Sequence, residues 1–118
     1  MSIVDTSQLN LVERFLDLVS TRQSLLVGNI ANIDTPGFQT KDIDFRIEFE
    51  RAVYQGAGPA LPPVVREVSG LLSRPDGNNV SVDREGLLLA ELQLKYQAAV
   101  QSMKAEFSYL RTAIHEGG

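Results

Sequence analysis

Two long stretches with the apolar spacing of α-helices lie near the ends of the chain and constrain its fold more than any other feature. Between them, seven of the nine glycines and all five prolines fall in the interval from Gly28 to Gly86. Because glycine and proline interrupt regular helices, the middle is expected to consist of turns and short elements. In a chain of 118 residues, this organisation predicts a single elongated domain spanning residues 1–118.

The first stretch, residues 6–33, places apolar side chains at alternating steps of three and four, with Gln23 as the polar interruption. A repeat of about 3.5 residues is typical of a helix supercoiled against a partner helix. A buried helix of a compact bundle is the alternative interpretation. The apolar positions are Leu9, Val12, Leu16, Val19, Leu26, Ile30 and Ile33.

The second stretch, residues 83–115, carries an apolar stripe whose steps stay close to the period of a straight helix. Asp83 is the expected N-cap, and Glu85 lies in the first turn, where the helix dipole favours a negative charge. The glycine pair at 117–118 is expected to end the helix. The stripe consists of Leu88, Leu92, Tyr96, Ala99, Met103, Phe107, Leu110 and Ile114.

These patterns predict a mainly α protein in which two long terminal helices pack antiparallel as a coiled coil. The middle, residues 34–82, is expected to be small and irregular and to cap the far end of the helix pair. Within it, residues 42–50 fit both a strand and a short helix, and residues 64–68 fit a short edge strand. A two-helix rod cannot cover all its apolar surface, so we expect it to assemble with other copies or other chains.

The composition excludes several classes of site and partner. There is no cysteine, so thiolate chemistry is excluded, and the single histidine, His115, excludes a site with two imidazoles. A net charge of −4 argues against a nucleic-acid partner, and we expect no cofactor. No apolar run approaches the roughly 20 residues that span a bilayer. The first ten residues lack the features of a cleavable secretory signal, so none is expected.

The most specific local sequence surrounds the predicted end of the first helix, residues 28–38, which we call the corner. The proline–glycine pair at 36–37 suits the central positions of a type II turn. Gly28 opens a small-residue patch on which another backbone could pack closely. Asn29 and Asn32 share one helical face and are expected to bond to neighbouring backbone. Phe38 follows the turn.

Four segments resemble bacterial flagellar axial proteins, the rod and hook family. They are residues 29–38 (NIANIDTPGF), 39–45 (QTKDIDF), 76–85 (DGNNVSVDRE) and 94–98 (LKYQA). Within that family the chain is similar to the proximal-rod members. It is too short to hold the large extra domain that distal-rod members carry.

The resemblance implies a structural protein of the proximal rod with no enzymatic activity. It implies export by the flagellar type III apparatus without a cleaved signal, and polymerisation in the periplasm on the membrane ring, near the adaptor protein FliE. The partners are then other copies of the chain and other rod proteins. The predicted assembly interface combines both apolar stripes with Gly28, Asn29, Asn32, Ile33 and the turn at Pro36, Gly37 and Phe38.

Two other functions are weighed against this one. A coiled-coil adaptor would form a small closed oligomer and never enter a filament. A hydrolase would use Asp42 or Asp44, since paired carboxylates can cleave sugars, although a solvated acidic face is the simpler interpretation of these residues. His115 is expected to be a surface residue.

Overall fold

A computed structural model describes residues 6–56, 58 and 60–117, with the side chains of Thr6 and Ser7 outside that description. The chain is elongated, with principal extents of 68 × 26 × 18 Å. Two long helices, one short helix and two very short strands form the fold, so the predicted class is confirmed. In chain order they are α1 (Thr6–Ala31), β1 (Lys41–Asp42), α2 (Phe45–Gln55), β2 (Arg66–Glu67) and α3 (Val82–Gly117).

The two long helices run antiparallel and bury an apolar core between them. Val19 and Leu26 of α1 meet Leu92 of α3, and Leu88 and Leu89 pack against this cluster. All three core side chains are among the most buried of the described residues. The core lies towards the corner, so the helix pair is held most firmly at the end away from the chain termini.

Both long helices differ slightly from the predicted bounds. α1 ends at Ala31, and the chain then tightens: the N–H of Asn32 is shared between the carbonyls of Gly28 and Asn29, and the N–H of Ile33 donates to the carbonyl of Ile30 at 3.2 Å. α3 begins one residue earlier than predicted, and the predicted N-cap at Asp83 was wrong. Ser81 caps instead, since its hydroxyl accepts the N–H of Arg84 at 3.3 Å.

The turn at the corner has the predicted type. The N–H of Phe38 donates to the carbonyl of Thr35 at 3.2 Å, and Gly37 has a φ of 75°. A positive φ at the third position of a four-residue turn defines type II and favours glycine. Pro36 and Gly37 therefore occupy the two central positions as expected.

The middle segment resolves the two alternatives for residues 42–50 in favour of a helix. Asp44 caps α2, because its carboxylate accepts the N–H of Ile47 at 3.1 Å. Phe45 and Phe49, one turn apart, both meet Phe15 of α1 edge-on, with ring centroids 5.3 and 5.8 Å away. The alternation of polar and apolar residues in this stretch does not produce a strand. The four-residue spacing of the two aromatic side chains is the pattern that matters, because it brings both rings against Phe15.

The middle does not sit only at the far end of the helix pair, which corrects the predicted cap. α2 lies alongside the first half of α1, where Arg14 donates to the side chain of Gln55 at 3.0 Å. It also reaches α3, since the Lys95 ammonium lies 4.4 Å from the centroid of the Phe45 ring. The aromatic contacts explain the placement, because they need an apolar partner that only the helix pair offers.

The rest of the middle is a short two-stranded sheet with extended connections. β1 pairs with β2 antiparallel, with Lys41 opposite Glu67 and Asp42 opposite Arg66. The strand predicted within residues 64–68 is therefore present. In the described part of the chain, no helix is both long and apolar enough to cross a membrane.

Candidate assembly surface and its supporting corner

Part of the predicted interface packs inside the chain itself. Val19, Leu26 and Leu92 form the core of the helix pair, and Asn29 is only 1% exposed. These side chains are covered by their own chain, so they can support a contact with a neighbour only by holding the helices in place.

Asn29 joins α1 to both the middle and α3. Its amide donates to the carbonyl of Lys41 at 2.8 Å and to the carboxylate of Glu85 at 3.0 Å, and its oxygen accepts the N–H of Lys41 at 3.0 Å. The other oxygen of Glu85 accepts from Arg84 at 2.8 Å. The expected hydrogen bonds between Asn29 and neighbouring backbone are confirmed. Both N–H groups of its side chain donate a hydrogen bond, and its side-chain oxygen accepts one.

Asn78 binds the turns that follow α1. The two N–H groups of its amide lie within hydrogen-bond distance of three carbonyls, those of Asn32, Ile33 and Thr35, at 2.9, 3.0 and 2.8 Å, and its oxygen accepts the N–H of Val80 at 2.8 Å. This one amide therefore ties the turns after α1 to the segment before α3. Asn78 is fully buried.

Around Asn78, the corner and the segment before α3 are bound together as one unit. Asn79 accepts both the N–H and the hydroxyl of Thr40, at 2.7 and 2.8 Å. The N–H of Gly37 donates to the carbonyl of Asp76 at 2.9 Å. Among the described residues, no buried side-chain nitrogen or oxygen lacks a hydrogen-bond partner. The corner is therefore held together by hydrogen bonds more than by apolar contacts.

Towards the chain termini, the stripes of α1 and α3 are open. Leu9 is 43% exposed, Phe107 is 55% exposed and Ile114 is 64% exposed. Between the two helices lies a groove of about 310 Å³, which we call the terminal groove. It is lined by Gln8, Leu9, Leu11, Val12, Ser102, Met103, Glu106 and Phe107.

The other predicted interface residues fall between these extremes. Tyr96 is 44% exposed on α3, and Pro36 and Gly37 are exposed at the turn. The remaining positions are half-buried: Val12, Leu16, Gly28, Ile30, Asn32, Ile33, Phe38, Leu88, Ala99, Met103 and Leu110. The accessible part of the predicted interface is therefore the half nearer the chain ends together with the outer side of the corner.

Curated relatives from distant bacteria match this chain over most of its length. The Flagellar basal body rod protein FlgB of Escherichia coli (strain K12) is 30% identical, over 86% of this chain and 88% of that protein. Its namesake from Bacillus subtilis (strain 168) is 33% identical, over 90% of this chain and 92% of that protein. The chain belongs to the FlgB family. The namesake from Yersinia enterocolitica is 31% identical over 86% of this chain and 89% of that protein, whereas no family model matches the chain.

FlgB-family membership makes this chain a structural subunit of the flagellar basal body rod. The structure shows that two residues not predicted to be important have structural roles in this FlgB-family fold. Asn78 and Asn79 appeared in the sequence only as part of the segment 76–85. Two adjacent asparagines just before a helix N-cap were nevertheless a usable indication, because their side chains bond readily to nearby backbone.

Three acidic residues in the middle of this FlgB-family chain, Asp42, Asp44 and Glu48, make structural contacts. Asp42 pairs with Arg22 of α1 at 3.0 Å, and both side chains are largely buried. Asp44 caps α2, and Glu48 is buried and accepts the N–H of Val64 at 3.1 Å. No group of three metal-ligating side chains lies close together in the part of the chain that the structure describes.

Proposed function

We propose that the chain polymerises through its terminal helices and forms part of the proximal rod, where it transmits torque. The observation that carries the proposal is the terminal groove, whose apolar lining is left open by the chain's own fold. Apolar surface removed from water stabilises a contact by about 25 cal/mol per Å². A neighbouring helix laid into the groove would therefore be held by the same side chains that the free chain exposes.

Assembly of this kind completes the fold of each subunit. The core of the helix pair lies near the corner, and the terminal halves have few partners inside the chain. Burial against neighbours then supplies stabilisation that the single chain lacks. The contacts are head-to-tail, because a growing tube needs heterologous interfaces, whereas a two-fold interface closes on itself.

The location and partners of the subunit rest on the family resemblance. The chain is exported by the flagellar type III apparatus without a cleaved signal, assembles in the periplasm on the membrane ring, and contacts FliE and other rod proteins. It acts as one elongated domain and has no catalytic role. In this arrangement, torque transmission depends on the stiffness of many interfaces at once, and no catalytic turnover is required.

Electron cryotomography of motors in a strain lacking this gene tests the proposal. The expected result is a membrane ring with no rod above it, and a rod restored when the gene is returned on a plasmid. A complete rod and hook in the deletion strain would contradict the proposal and favour the closed coiled-coil adaptor.

Substitution of Asp44 separates the structural role from the hydrolase alternative. Asp44→Ala removes the N-cap of α2, so the free energy of unfolding should fall by about 1 kcal/mol, as measured by urea denaturation. Motility should persist, since the cap lies away from the terminal groove. Asp44→Asn is the matched control, because it keeps a capping oxygen and removes the charge. Loss of motility in both variants, with the fold intact, would support a chemical role for the carboxylate.

A further inference from the structure

The last turn of α2 lacks a stabilising charge of its own. The helix has 11 residues, and isolated helices shorter than about 12–15 residues are marginal in water. Asp44 caps its first turn and Glu48 adds a negative charge there, whereas the last turn contains no basic residue to offset the helix dipole. The C-terminal end of α2 therefore depends on contacts from elsewhere in the chain.

Arg14 of α1 provides a contact of the kind that the end of α2 needs. Its guanidinium donates to the side chain of Gln55 at 3.0 Å and to the carbonyl of Gly56 at 3.3 Å, and it also donates to the carbonyl of Gly58. A positive charge beside the C-terminus of a helix is favoured by the helix dipole. The aromatic contacts of Phe15 with α2 lie in the first half of that helix, so the second half relies on Arg14.

The segment of residues 60–64, which we call the strap, borders a cavity between α1 and α2. The cavity measures about 240 Å³, and its lining includes Leu18 of α1, Ala52 of α2 and Leu61 of the strap. The N–H of Val64 donates to the buried carboxylate of Glu48 at 3.1 Å, which fastens the far end of the strap. Because side chains that line a cavity lose packing contacts, the position of the strap depends strongly on these polar contacts.

The hydrogen bonds around α2 are distinct from those that hold the corner. The bonds of the corner connect residues 28–41 with residues 74–85, as between Asn29 and Glu85. Those of Arg14 connect α1 with residues 55–58. Regions held by separate sets of contacts can open separately, each with its own free energy of opening.

We propose that Arg14 is the latch of a unit, made of the second half of α2 and the strap, that opens from α1 while the corner stays folded. Arg14 is thus a positioning residue for this unit. Loss of the latch shifts the equilibrium towards the open form, in which the buried side chains of Leu18 and Ala52 become uncovered. The inference concerns a single chain and holds whether or not the chain enters a rod.

Native-state hydrogen exchange of the full-length chain in low concentrations of urea, followed by NMR, tests the proposal. The amides of Ala52 and Val64 report the latched unit. Those of Thr40 and Val80 report the corner, since both donate to buried asparagine side chains there. The urea dependence of exchange scales with the surface that an opening exposes. We expect this dependence at Ala52 and Val64 to be less than half of that at Thr40 and Val80.

Arg14→Ala tests the latch itself. Exchange at Ala52 and Val64 should accelerate together by at least tenfold and keep its small urea dependence. Arg46→Ala is the matched control, because it removes an arginine of α2 whose side chain is 79% exposed and pairs with Glu50 of the same helix. The control should change exchange at the same two amides by less than about threefold.

Three results would contradict the proposal. Equal urea dependence at all four amides of the unsubstituted chain would show that α2 opens only when the whole chain unfolds. An acceleration by Arg14→Ala no larger than that by Arg46→Ala would remove Arg14 as the latch. An Arg14→Ala chain that does not fold would show that Arg14 is needed by the whole fold rather than by one unit.

Discussion

Asn78→Ala is expected to lower the free energy of unfolding by about 2–4 kcal/mol. The amide of Asn78 donates to three carbonyls in the turns after α1, and its oxygen accepts the N–H of Val80. Alanine removes all of these contacts and leaves the N–H of Val80 without its acceptor, because Asn78 itself is fully buried and water has no ready access. Since small proteins are stable by about 5–15 kcal/mol, the loss would be a large share of the total.

Urea denaturation followed by far-UV circular dichroism measures this loss. Asn78→Asp keeps an oxygen for the N–H of Val80 but removes the donor, so it should destabilise at least as much as alanine does. Gln97→Ala, which removes an exposed amide from α3, is the control and should change stability by less than about 0.5 kcal/mol. If alanine at position 78 were as mild as this control, the other donors to these carbonyls would be sufficient to hold the turns. They are Arg74 for the carbonyl of Ile33 and the N–H groups of Thr35 and Phe38 for the carbonyls of Asn32 and Thr35.

Gly28→Leu is expected to abolish motility while leaving the fold and export of the chain intact. An added Cβ at Gly28 meets no side chain or more distant backbone of the chain within 4 Å, so the subunit has room for the first atom of a side chain there. Glycine inside a helix is less favourable than alanine by about 0.5–1 kcal/mol, so its presence in α1 is not explained by the chain's own stability. Close approach of a neighbouring subunit's backbone is the explanation that the assembly proposal offers.

Swimming in soft agar, export by immunoblot and urea denaturation together test this prediction. Gly86→Leu is the matched control, because Gly86 is also helical, also has open space at its Cβ and lies outside the predicted interface. We expect the control strain to swim. Normal swimming with leucine at position 28 would reject close packing at this position, and loss of swimming in both strains would show that the effect is not specific to Gly28.

The local elements of this chain were largely predictable from its sequence. Helical periods identified α1 and α3 to within two residues, since a long amphipathic pattern reports the face of a helix directly. The type II turn followed from Pro36 and Gly37, whose backbone preferences are local. The alternation in residues 42–50 was ambiguous because it was short, and the packing of Phe45 and Phe49 against Phe15 decided it.

The candidate site was predictable only in part. Sequence periodicity placed Val19 and Phe107 in stripes of the same kind, although Val19 is 5% exposed and Phe107 is 55% exposed. The period of a sequence indicates which side chains share a face of a helix. Whether that face is buried depends on how far the partner helix and the middle segment extend along it. Asn29 was assigned to the interface as part of the corner, where it shares a helical face with Asn32, whereas the structure buries its side chain inside the corner.

By itself, the sequence determined the two long amphipathic helices, their antiparallel pairing, the turn at the corner and the family to which the chain is similar. These features depend on spacing and on backbone preferences that neighbouring residues set. Only the tertiary structure decided the position of α2, the bonding of Asn78 to the turns after α1 and the pairing of Asn29 with Glu85. Those contacts join residues far apart in the chain, and their stability comes from burial and from hydrogen-bond partners that no local pattern specifies.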